Sequence, residues 1–82
     1  MNPRQKKKFD AIVADFDKFY RTTCKKDGIP DNSVARTAFY EACLGIVRDG
    51  PRLRSAEVQS ELVRYYTKLR NEEYRKVILE LD

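Results

Sequence analysis

The sequence predicts an all-α fold, an up-down-up bundle of three helices with a long third helix. Apolar residues recur at steps of three and four in three separate segments. Two short stretches bearing Gly and Pro divide those segments. No part of the chain alternates apolar and polar residues as a half-buried strand does. All 82 residues fit one domain (1–82), small enough that its core must be thin.

The opening residues, MNPRQKKK, form a basic arm (1–8) that runs directly into the first helix. From there the stripe is Phe9, Ile12, Val13, Phe16, Phe19, Tyr20 and Cys24, so a helix is expected over about 3–26. Lys25 and Lys26 complement its C-terminal dipole, and Asp27-Gly28 supplies the stop.

Ile29-Pro30-Asp31-Asn32-Ser33 is a turn in which Asp31 or Ser33 is expected to cap the second helix, placed at about 33–48. Its stripe begins at Val34 or Ala35 and continues through Ala38, Phe39, Ala42, Cys43, Ile46 and Val47. Three alanines on one face predict close approach to a neighbouring helix. Asp49-Gly50-Pro51 ends the segment.

The third helix, about 55–81, contains neither Gly nor Pro and opens on Ser55 as cap, with Glu57 in the first turn. Pro51 offers an alternative, earlier start. Its first stripe is Val58, Leu62, Tyr65, Tyr66 and Leu69. Charged Glu72 and Glu73 then interrupt it, and apolar residues resume, displaced, at Tyr74, Val77, Ile78 and Leu81. The end from about Glu73 is expected to overhang the other helices. That displaced stripe either folds back on the first helix, pairs with a second copy as a homodimer, or docks on another protein, with Glu72, Glu73, Arg75 and Lys76 as its polar rim.

Composition narrows the chemistry. The chain has no His, so neither an imidazole base nor a conventional triad, and no glycine-rich phosphate loop precedes a helix. Cys24 and Cys43 fall on apolar stripes, where cysteine acts as a small hydrophobe. No enzyme, metal, cofactor or small-molecule substrate is expected. No apolar run is long enough to span a bilayer, and Lys6–Lys8 precede an amphipathic segment rather than a leader's apolar core, so a soluble, cytoplasmic setting is expected.

The charge is uneven. The net charge is +4, and residues 1–30 carry eight Lys/Arg against four Asp, whereas residues 55–82 carry five against six Asp/Glu. An up-down-up bundle gathers Arg4, Lys6, Lys7, Lys8, Arg48, Arg52 and Arg54 at one pole. Such a pole suits the phosphates of DNA or RNA, with Arg in place for bidentate contacts. The expectation is therefore a small accessory or regulatory factor that binds nucleic acid. The alternative is a protein–protein adaptor or inhibitor docking through Tyr74, Val77, Ile78 and Leu81.

Overall fold

The computed structural model describes residues 1–50 and 55–80 and contains three helices: α1 (Pro3–Asp27), α2 (Ser33–Asp49) and α3 (Ala56–Glu80). Among the described residues there is no strand, so the all-α bundle is as expected. Arg52, Arg54 and Leu81 lie outside the described residues, as does an earlier start of the third helix at Pro51.

Local chemistry sets each boundary. Asn2 caps α1 by accepting a 2.9 Å hydrogen bond from the Gln5 amide, and the Gln5 side chain accepts one from the Asn2 amide. This reciprocal box, with Pro3 as first helical residue, pre-forms the turn. At the other end Gly28 adopts φ 66°, a left-handed conformation that a side chain would strain. Asn32, rather than Asp31 or Ser33, caps α2, its side chain accepting from the Ala35 amide at 2.9 Å. Gly50 follows α2 in an extended conformation, and a Cβ there would collide with the Ile46 carbonyl oxygen. Ser55 caps α3 as expected, its hydroxyl accepting from the Val58 amide.

The chain runs up, down, up. Gln59 near the start of α3 donates to the Val47 carbonyl at the end of α2, and Arg36 at the start of α2 pairs with Glu73 far along α3, so these two helices are antiparallel. The N-terminal amino group lies 3.3 Å from Glu57, which sets α1 parallel to α3.

The core belongs to α2 and α3. Cys43, Leu44, Val47, Val58, Leu62 and Tyr66 are fully buried, whereas α1 has no fully buried residue. Phe9, Ile12, Val13 and Phe16 cover this core only partly. Phe9 meets Tyr65 edge-on at 5.5 Å, and Phe16 packs on Tyr66 at 5.8 Å. Further down, Tyr20 of α1 packs on Phe39 of α2, ring centroids 4.6 Å apart. The radius of gyration, 13.7 Å, exceeds the ~12 Å of an equally long compact chain.

Two expectations about packing are corrected. In α2 the buried stripe is Ser33, Cys43, Leu44 and Val47, so it turns away from the alanine face; Ala38, Ala42, Val34 and Ile46 are exposed. Leu44 offers far more apolar area than an alanine and draws its own edge of the helix inward. In α3, Glu73 neither breaks the buried stripe nor forms a rim. It is buried on the same face of α3 as Val58, Leu62 and Tyr66, and Arg36 of α2 reaches it.

Candidate nucleic-acid interface and apolar surfaces

The register brings the start of α1, the end of α2 and the start of α3 to one end of the bundle, through the Met1–Glu57 and Gln59–Val47 contacts. Arg4, Lys6, Lys7, Lys8 and Arg48 are all exposed at or near this end. Lys6 is partly engaged: its ammonium lies 3.1 Å from Asp10 and 5.4 Å from the Phe9 ring centroid.

The basic surface does not stop at the pole. At 100° per residue, Arg4, Lys7, Ala11, Ala14, Lys18, Arg21 and Lys25 fall on one stripe of α1, opposite its apolar stripe, and all seven are exposed. No acidic residue interrupts that stripe, although Arg21 reaches sideways to Asp17 at 2.7 Å. From Arg4 to Lys25 it is ~32 Å long. Lys18, Arg21 and Lys25 are among the eight cations of residues 1–30, but a count by segment does not show that they share a face with Arg4 and Lys7. The helical phase of α1, fixed by Phe9 and Phe16, was the signal available.

The C-terminal stripe is divided. Tyr74, Ile78 and Leu79 are exposed, Leu79 to 71%, while Val77 is half-buried. Tyr74 borders a shallow recess with Glu41, Arg70 and Asn71, where Arg70 and Glu41 pair at 3.0 Å.

At the opposite end from the basic pole, one ionic chain ties all three helices. The Tyr20 hydroxyl donates to Asp31 at 2.7 Å, Arg36 donates to the same oxygen at 2.8 Å, and the Arg36 Nε reaches Glu73 Oε1 at 3.1 Å. Lys76 adds a 3.4 Å contact to that oxygen. Burial works against charge on Glu73, but Arg36, followed by Ser33 and Lys76, outweighs it and holds the carboxyl below its ordinary range. Glu73 Oε2 remains buried without a partner of hydrogen-bonding geometry. Hydrogen bonds from Tyr20 and Arg36 likewise lower Asp31, while burial first, then Asp31, raises the Tyr20 phenol.

Beside this chain an apolar groove of about 280 Å³ opens between α1 and α2, lined by Phe19, Tyr20, Thr23, Cys24, Ile29, Ala35, Ala38, Phe39 and Ala42. Phe19 stands at its edge, 68% exposed rather than in the core where its stripe position put it. Cys24 borders the groove, whereas Cys43 is buried and its thiol is pushed up to about 12 by burial. Among the described residues no three His, Cys, Asp or Glu side chains cluster as metal ligands, and no helix is long and apolar enough to cross a membrane. Compared with protein-family models, curated proteins and solved structures, the chain finds no match.

Proposed function

We propose that this chain is a small, non-enzymatic accessory or regulatory factor that binds the phosphate backbone of DNA or RNA. The observation that carries the proposal is the exposed stripe of α1 free of acidic residues, with Arg4 and Lys7 at one end and Lys18, Arg21 and Lys25 at the other, beside the pole of Lys6, Lys8 and Arg48. Arg52 and Arg54, between α2 and α3 in sequence, extend the cationic set. Ala11 and Ala14 leave the middle of the stripe low, so a backbone can approach closely. Recognition is electrostatic, with affinity falling steeply as salt rises. Nothing on the stripe is long and apolar enough to wedge between bases.

The test is anisotropy of a labelled duplex and a labelled single strand at several salt concentrations. Reversing Lys7, Lys18 and Lys25 to Glu is expected to weaken binding by about 10- to 100-fold at 0.1 M salt and to flatten the salt dependence. Reversal of Arg52 and Arg54 is expected to weaken it as well. Equal affinity in every variant sinks the proposal.

A protein-docking role has one specific observation in its favour, the exposure of Tyr74, Ile78 and Leu79 on α3. Val77→Asp with Ile78→Asp then abolishes partner capture while nucleic-acid affinity is unchanged.

A further inference from the structure

The alanine face of α2 lacks the close neighbour its composition calls for. Ala38 and Ala42 are exposed, and with Ala35 they floor a hollow beside the exposed Phe19 ring. A knob and a hollow on one face match themselves in a symmetric pair. We infer that a second copy of this chain occupies the groove, related by a two-fold axis running along the helices. In this arrangement α1 of each copy lies against α2 of the other, and Phe19 seats between Ala38 and Ala42 of the second copy.

The register supports this occupant. Within one copy, Tyr20 stacks on Phe39, so residues of α1 and α2 whose numbers add to about 59 lie at one level. A two-fold axis along the helices preserves levels, which puts Phe19 opposite position 40, midway between Ala38 and Ala42. On the same stripe of α1 as Phe19, Lys8 comes within ~3 Å of the level of Asp49, a gap its long side chain spans, and Asp49 shares the α2 stripe of Ala38 and Ala42. The pair therefore gains Lys8–Asp49 contacts twice, at the rim. Each new α1–α2 contact is antiparallel, so the two hairpins close into a four-helix layer of ordinary bundle geometry.

The size suits a weak pair. From Lys8 to Lys26 is ~27 Å, and two adjacent helices present a face ~20 Å across, an outline of ~540 Å² before its relief is counted. A standard interface buries ~800 Å² per partner, about an eighth of this chain's 6246 Å² surface. Phe19, Ile29 and Ile46 supply apolar anchors within reach of that face. The centre of the basic stripe of α1 lies about a third of a turn away and stays free, while Lys8 is drawn into the pair.

Sedimentation equilibrium on the full chain tests the inference. A species of twice the 9.7 kDa chain mass is expected at protein concentrations on the order of 100 µM. Phe19→Asp and Ala42→Glu, both at exposed positions, each raise the dimer dissociation constant by about 30-fold or more. Lys8→Asp weakens the dimer, and combining it with Asp49→Lys restores it. Circular dichroism shows each variant as helical as the parent. A monomer at every concentration overturns the inference, as does a dimer that ignores Phe19→Asp and Ala42→Glu yet dissociates with Tyr74→Asp and Ile78→Asp.

Discussion

The α2–α3 pair and α1 divide the labour of this small domain. Among the described residues the pair holds every fully buried apolar side chain, its helices running antiparallel from Val47–Gln59 to Arg36–Glu73. The first helix is as long as α3, 25 residues each, yet none of its residues is fully buried. A helix that contributes so little core is best understood through its outer faces: a basic stripe on one side and Phe19 above the alanine hollow on another. Its own stability rests on its caps and its half-covered Phe9–Phe16 stripe.

Truncations on the two sides should separate them most sharply. Leu62→Ala empties a site with no solvent exposure and is expected to cost ~2–5 kcal/mol in urea unfolding, a large share of what a domain this size has. Phe9→Ala, though it removes more atoms, is expected to cost only ~1–2 kcal/mol because the ring covers the core at its margin and is partly exposed. A Phe9 cost equal to that of Leu62 would place α1 in the core after all.

The next effect in size concerns the ionic chain. Glu73→Ala strips Arg36 of one carboxylate while Asp31 remains, for an expected loss of ~1–3 kcal/mol. Because the native Glu73 carboxyl is held below its ordinary range, its stabilisation is complete above the unfolded value of ~4.3 and is lost as pH falls through the native one. Asp31 shifts in the same direction but is exposed, so its share is smaller. Acid titrations of stability should therefore be flatter in Glu73→Gln than in the parent; identical curves would remove Glu73 from the account. Smallest is the α1 cap: Asn2→Ala is expected to cost ~0.5–1 kcal/mol and to act on α1 alone, seen as lost helix signal before the main transition.

Helix boundaries were readable because their signals are local. Pro3, Gly28, Gly50 and Ser55 stop or start helices by backbone chemistry that neighbouring residues suffice to define. Facing was harder. Apolar residues cover more than half the circumference of α2, so periodicity alone leaves open whether the alanine edge or the Leu44 edge meets α3. Glu73 looked like an interruption because its partner, Arg36, lies 37 positions away in sequence, and no local pattern links them. The same holds for Asp31, which resembles a cap but is engaged by Tyr20 and Arg36 while Asn32 does the capping. The basic pole followed from topology alone; the stripe along α1 required its helical phase.

Residue-resolved amide hydrogen exchange tests the division between α1 and the α2–α3 pair most directly. The expected result is opening free energies that are lowest along α1 and highest around Leu44, Val47, Leu62 and Tyr66. Protection of α1 near Phe19 should rise with protein concentration as the second copy binds. Equal protection across all three helices, unchanged by concentration, would contradict both the loose docking of α1 and the surface it leaves open.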